Sequence, residues 1–411
     1  MTGSSHSKAP APSRDDGSRI QPVASVVRRR ILFVDDEAGI LDGLRAVLRS
    51  MRREWEMVFA LGGQAALEQL KNATFDVVVT DMRMPVVDGA EVLRQTKEIQ
   101  PRAVRIVLSG ETDADTALKT VFTAHQFMAK PCECETLRGV VQRACQLNEL
   151  VLSDELRALA GDVSMLPAPP RTYLAITNAL SDPSCNIKQL GSIVERDPAV
   201  CAKVLQIANS AFFGLPRKVS NAAEATSYLG TLTLRNLTLA MESAGAAKRA
   251  NLPITQQQLL DFQSNSLLVG LIGRHWYAGD RRRADEAFVA GMLRDMGHLL
   301  LAAQGRKCET TSCHASLSAY LLGLWGLPHS VLEPVAFHEE PERVEHDKLE
   351  VVDVVHLADR LAAELLPSPF QETAAALDRD RLARLGVGPE RLAQLREDAN
   401  AILVHTKELL K

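Results

Sequence analysis

The sequence predicts two domains of different class: a doubly wound α/β domain with a five-stranded parallel sheet over residues 29–150, then an all-α domain over residues 162–365. Two observations carry this reading. From Arg30 to about Leu150, short β-branched runs alternate with amphipathic stretches, and strands joined by helical crossovers must lie parallel with both sheet faces covered. After the breaker cluster Met165-Leu-Pro-Ala-Pro-Pro170 the strand signal essentially vanishes and only helical periodicity continues. A length of 411 residues agrees, since roughly one domain per 150 residues asks for two or three.

Residues 1–28 hold Ser, Pro, Asp, Arg and Gly without an apolar central stretch, which predicts a disordered tail and not an export signal. Strands are expected at Arg30–Val34, Trp55–Ala60, Phe75–Thr80, Val104–Leu108 and Gln126–Ala129, with helices near 38–51, 63–72, 89–99, 112–124 and 133–150. The continuously apolar runs Ile31-Leu-Phe-Val34 and Val77-Val-Val79 suit central strands buried on both sides, and each ends in carboxylates. A helical linker over 151–161 follows. Apolar positions from Leu137 to Leu159 fall near a heptad spacing, so pairing of two copies through this helix is an open possibility. Helical segments then run to residue 365, with Asp182-Pro183 and Asp197-Pro198 placing proline behind an Asp cap. An extension over 366–411 adds further helical pattern around Gly386-Val-Gly388.

Hydrophobic residues at 46 % and charged residues at 24 % are ordinary globular values and exclude wholesale disorder. A net charge of −4 supplies no global field for nucleic acid or an anionic membrane, and no helix-turn-helix with basic flanks stands out, so no DNA partner is expected. No apolar run reaches the ~18 residues of a membrane span, and a cytoplasmic location is expected. Seven cysteines, odd in number and without a C-x-x-C, predict free thiols. Cys308, Cys313 and His314 lack a fourth zinc ligand nearby in sequence.

Asp35 and Asp36 follow the first strand, Asp81 the third, Ser109 ends the fourth, and Lys130-Pro131 ends the fifth, so one crevice at the carboxyl edge receives them all. Three carboxylates gathered there repel one another unless a hard divalent cation sits among them, and oxygen-only ligation suits Mg²⁺. A carboxylate nucleophile attacking a phosphoryl donor needs that metal, a cation such as Lys130 and a hydroxyl such as Ser109 on the phosphoryl oxygens. Singly, each Asp is an ordinary turn or cap residue; together they form a phosphoryl-transfer set.

In order, Val34-Asp-Asp-Glu37, Val79-Thr-Asp81-Met-Arg-Met-Pro85 with Asp88-Gly89, Leu108-Ser-Gly-Glu111 and Phe127-Met-Ala-Lys-Pro131 resemble the receiver domain of two-component response regulators over about residues 29–150. The resemblance implies a flavodoxin-like fold, phosphorylation of Asp81 by a sensor histidine kinase, and Mg²⁺ held by Asp35, Asp36, Asp81 and the backbone carbonyl of Arg83. It also implies catalytic help from Lys130 and Ser109, a switch formed by Ser109 and Phe127, and a cis Lys130-Pro131 bond. A homodimer through the receiver face is a further possibility.

The helical region carries Leu166-Pro-Ala-Pro169, Ile193-Val-Glu-Arg-Asp-Pro198, Val204-Leu-Gln-Ile-Ala-Asn-Ser-Ala-Phe-Phe-Gly-Leu-Pro216, Tyr228-Leu-Gly230 and Leu324-Trp-Gly-Leu-Pro328. These resemble the HDOD domain, a relative of HD-type metal-dependent phosphohydrolases. Such enzymes gather imidazoles and carboxylates around one or two metal ions, with an adjacent His-Asp pair at the centre. Here Arg294 stands beside Asp295 where the His is expected, and Asn265 where an earlier helix of catalytic relatives has His. His314, His338, His356 and Asp359 remain at matching or nearby positions. The resemblance therefore implies a degenerate site, no metal in this domain, and an output that binds an unknown downstream protein partner instead of turning over a substrate. The alternative is an active phosphodiesterase or phosphohydrolase controlled by the receiver.

Overall fold

The computed structural model describes residues 28–110, 123–130, 134–147, 157–160, 170–182, 184–209, 217–249, 253–307, 313–370 and 377–409. The expected tail, the helix near 112–124, the Lys130-Pro131 bond, most of the linker and the loop around Phe212 lie wholly or largely outside these residues.

Five parallel strands form the amino-terminal sheet: β1 (Arg29–Asp35), β2 (Trp55–Leu61), β3 (Val77–Asp81), β4 (Val104–Gly110) and β5 (Gln126–Lys130), in the order β2-β1-β3-β4-β5. Helices α1 (Ala38–Val47), α2 (Gly63–Asn72), α3 (Gly89–Ile99) and α4 (Cys134–Leu147) accompany them. Every residue of β3 is buried, because a central strand covered on both faces selects apolar side chains throughout. Strand order reverses between β1 and β3, so the carboxyl ends of those two strands open the crevice. Asp88 caps α3 by accepting from the Glu91 amide. A Cβ on Gly89 would fall 2.1 Å from the Asp81 carbonyl oxygen, so only glycine lets α3 start against the end of β3.

The expected helix over 38–51 ends at Val47 and continues as a 3-10 turn, Leu48–Arg53. Its apolar positions Leu48 and Met51 still reach the core, so the tighter winding keeps the buried face while changing the hydrogen bonding.

The remainder of the described chain is helical: α5 (Pro170–Ser181), α6 (Ile187–Val194), α7 (Pro198–Ala208), α8 (Ala222–Arg249), α9 (Gln256–Trp276), α10 (Arg281–Leu293), α11 (Met296–Ala303), α12 (Cys313–Leu324), α13 (His329–Phe337), α14 (Val351–Leu365), α15 (Arg379–Arg384) and α16 (Pro389–Leu409). Asp197 accepts from the amides of Ala199 and Val200 with Pro198 at the first helical position, while Asn186 and Gln189 close a capping box on α6. Two segments expected near 222–228 and 231–245 form one run kinked at Gly230, where φ is 72°. The segment expected over 284–303 is broken at Arg294-Asp295 into α10 and α11. That break turns both side chains into the bundle, where both are buried.

One apolar cluster runs from the sheet into the bundle, joining Ile106, Met128 and Val141 to Val204, Leu321 and Trp325. Polar contacts accompany it. Gln126 Nε2 of β5 donates to the Leu324 carbonyl at 2.9 Å, and Gln206 Nε2 of α7 donates to the carbonyls of Ala124 and His125 at 3.4 and 3.3 Å. Cys145, Cys185 and Cys201 are free thiols, but Cys313 is disulfide-bonded to a partner outside the side chains described, which corrects the expectation of free thiols throughout. Cysteine spacing alone carries no pairing information.

Candidate functional site

At the carboxyl edge of the sheet β1 delivers Asp35 and β3 delivers Asp81, both buried, while Asp36 is exposed beside them. Lys130, at the end of β5, bridges the two acids: its Nζ lies 2.8 Å from Asp35 Oδ2 and 2.5 Å from Asp81 Oδ1. The remaining oxygens are oriented by the backbone. Asp81 Oδ2 accepts from the Arg83 amide at 3.1 Å and Asp35 Oδ1 from the Glu37 amide at 3.0 Å. Burial pushes the Asp81 carboxyl above its ordinary pKa; Lys130 opposes the rise, and the charge of Asp35 adds to it. Burial alone would lower Lys130, but its hydrogen bonds to Asp35 and Asp81 hold it above the ordinary lysine value.

An open cavity lined by Asp36, Met82, Arg83 and Met84 adjoins these acids. The donor set is oxygen throughout, with two oriented carboxylates and a third exposed to solvent, and this chemistry fits Mg²⁺. Ser109 lies on β4 opposite Ala129, which brings its backbone to the same edge; its side chain is outside the described residues. Phe127 is buried on β5, paired with Val107.

The break between α10 and α11 builds a second cluster. Arg294 is 0 % exposed. Its Nη2 lies 2.6 Å from Asp359 Oδ1, 2.7 Å from Asn265 Oδ1 and 3.0 Å from Asp295 Oδ2, and its Nη1 donates to the Gly291 carbonyl at 2.9 Å. A guanidinium thus fills the space among Asn265, Asp295 and Asp359. Despite burial, its charge holds the Asp359 carboxyl below the ordinary range. On the other side of Asp295 stand His314 of α12 and His338 at the end of α13, their Nε2 atoms 3.3 Å and 3.6 Å from Asp295 Oδ1. Glu339 completes that side, and His298 stacks on His314 with ring centroids 3.8 Å apart. His356 Nδ1 lies 2.6 Å from the His338 carbonyl oxygen and so supports the backbone of the cluster.

Sequence reasoning reached Asn265, Arg294, Asp295, His314, His338 and Asp359, which the fold brings together, but missed Glu339 and His298. The signals were available: Glu339 follows His338 directly, and His298 lies one helical turn after Asp295.

Comparison with known proteins matches two stretches of the chain to known domains. Residues 31–142 match the response regulator receiver domain and residues 166–310 the HDOD domain. The transcriptional regulatory protein ZraR of Escherichia coli is 27 % identical over 156 residues, covering 38 % of this chain and 35 % of that protein. The regulatory protein AtoC of the same species is 32 % identical over 124 residues, 29 % of this chain and 26 % of that one. The chain thus spans about a third or less of the length of these curated relatives. Among solved structures, the signal receiver domain of an HD domain-containing protein from Pseudomonas fluorescens is 25 % identical, with a TM-score of 0.28, and covers 30 % of this chain and 98 % of its own.

Proposed function

We propose, for a chain that carries a response-regulator receiver domain followed by an HDOD domain, that Asp81 accepts a phosphoryl group from a sensor histidine kinase and that the helical domain transmits the mark to a protein partner. The observation that carries this reading is the Asp35–Lys130–Asp81 bridge at the end of a strand that also touches the bundle. Lys130 opposes the upward shift that burial imposes on Asp81 and so favours its ionised form, in which a carboxylate oxygen is the nucleophile. As that oxygen forms its bond to phosphorus, the bond to the donor histidine nitrogen breaks, and Lys130 stays within reach of the incoming phosphoryl oxygens. Asp35, Asp36, Asp81 and the Arg83 carbonyl would hold Mg²⁺, which when bound supplies positive charge to those oxygens.

The product adds about −1.5 to −2 of charge beside Lys130. Lys130 must then share itself between Asp35 and the phosphoryl group, with Ser109 recruited to another oxygen and Phe127 following into the space left. Lys130 ends β5, and Gln126 at the start of the same strand meets the Leu324 carbonyl, so a shift of β5 is felt in the bundle without a further carrier.

The bundle acts by binding in this reading. Hydrolysis of the HD type needs a complete set of metal ligands, and Arg294 fills the place of part of it. No described helix is long and apolar enough to cross a membrane. Mass spectrometry of the full chain with Mg²⁺ and a small phosphodonor tests the proposal: one phosphoryl adduct is expected on the wild type and none on Asp81→Asn. An adduct that persists in Asp81→Asn would overturn it.

A further inference from the structure

We propose that the helical domain holds one divalent transition-metal ion between Asp295, His314, His338 and Glu339, beside the fixed guanidinium of Arg294. The donor atoms already have the spacing of a coordination sphere. The two Nε2 atoms are 3.3 Å apart, Asp295 Oδ1 lies 3.3 and 3.6 Å from them, and Glu339 Oε1 lies 3.9 Å from each. Tetrahedral donors at about 2.0–2.1 Å from a central ion stand roughly 3.3–3.4 Å from one another. Without an ion, two imidazole nitrogens and two carboxylate oxygens meet in a buried space with few protons to share.

The surroundings orient these donors toward the shared centre. His338 Nδ1 lies 2.9 Å from the Val335 carbonyl, which can only accept, so Nδ1 carries the proton and Nε2 presents its lone pair to the cluster. Glu339 gives Oε2 to Arg360 and keeps Oε1 toward the imidazoles. Asp295 is 1 % exposed, and neither of its oxygens receives a well-directed hydrogen bond despite the charged neighbours. A buried carboxylate in that state is costly unless a cation lies on its open side.

Two imidazoles with two carboxylates select Zn²⁺, Mn²⁺ or Fe²⁺ over Mg²⁺, which prefers oxygen donors and retained waters. A single ion is expected because the other side of Asp295 belongs to Arg294, whose guanidinium cannot ligate. The ion would tie the start of α11 to α12 and to the end of α13, the three elements that supply Asp295, His314 and His338.

The test uses the full chain carrying Asp35→Asn, Asp36→Asn and Asp81→Asn, which removes the three acids of the sheet edge from the metal count. Titration with Zn²⁺ by calorimetry, with metal analysis after dialysis, is expected to show one ion per chain and a raised thermal midpoint. His314→Ala and His338→Gln are each expected to weaken binding by at least about 100-fold while the far-ultraviolet circular dichroism stays helical. Substituting Co²⁺ is expected to give visible absorption that both variants lose. Failure of the parent chain to retain Zn²⁺ or Co²⁺ at micromolar concentration, or retention unchanged in both variants, overturns the proposal. Phosphorylation of Asp81 stands or falls separately.

Discussion

The receiver and the bundle each bury a pair of carboxylates against one cation, and they do so with opposite chemistry. Lys130 keeps a quarter of its side chain exposed and touches Asp35 and Asp81 through a single flexible nitrogen. Arg294 is wholly enclosed and engages Asp295, Asp359, Asn265 and the Gly291 carbonyl through its planar fork. A lysine can slide between partners when a new anion arrives; a fork-bonded arginine cannot do so without abandoning several contacts at once. The first arrangement is therefore exchangeable and the second is locked.

The sharpest way to break this comparison is Arg294→Met. Two buried acids would lose their permanent cation, and urea unfolding of the variant is expected to show a loss of about 3–5 kcal/mol. A loss below ~1 kcal/mol would mean that water or a metal already does the compensating. The sign with pH follows from Asp359. Its folded pKa is lowered, so its stabilising share is present above the ordinary carboxylate value and disappears as pH falls through the folded value.

Lys203 gives the intermediate effect and sharpens the contrast with a third buried cation. Its Nζ sits 4.5 Å from the Trp325 ring centroid and 3.0 Å from Gln206 Oε1, and burial pushes its pKa down to about 7. Below 10.5 the unfolded chain takes up a proton that the folded chain refuses until about 7, so wild-type stability falls as pH drops through that window. Lys203→Met is expected to be more stable at neutral pH by about 1–4 kcal/mol and to lack this slope in chemical unfolding at several pH values.

The smallest effect is expected at Asp81. Because burial raises the Asp81 pKa, its ionised form costs stability at neutral pH, and Asp81→Asn should raise the thermal midpoint by a few degrees in Mg²⁺-free buffer. As pH falls the wild-type carboxyl takes up its proton, and the gap between the two melting curves should close. A gap that widens on acidification would contradict this.

All five strands were legible from short β-branched runs alternating with amphipathic stretches, and the Asp that ends β1 and β3 and the Lys that ends β5 mark the crevice at once. Asp35, Asp81 and Lys130 needed no knowledge of packing beyond the rule that strand ends converge. The bundle was less legible. Arg294 and Asn265 stood out as departures from a resemblance, whereas Glu339 and His298, though next to His338 and one turn from Asp295 in sequence, join the cluster through the packing of α11, α12 and α13. The contacts of Gln126 and Gln206 were hidden for the same reason, since a polar residue at the start of a strand or in a helix reads as solvent-facing until its neighbour is known.

The apolar cluster that passes unbroken from Met128 to Trp325 makes the modular division of this chain a matter of ancestry more than of mechanics. Cutting the polypeptide between its two halves would leave each with a raw oily wall facing water, and heat should melt the intact chain in a single cooperative event. The two halves are welded along one seam, so that any fatigue in one is inherited by the other.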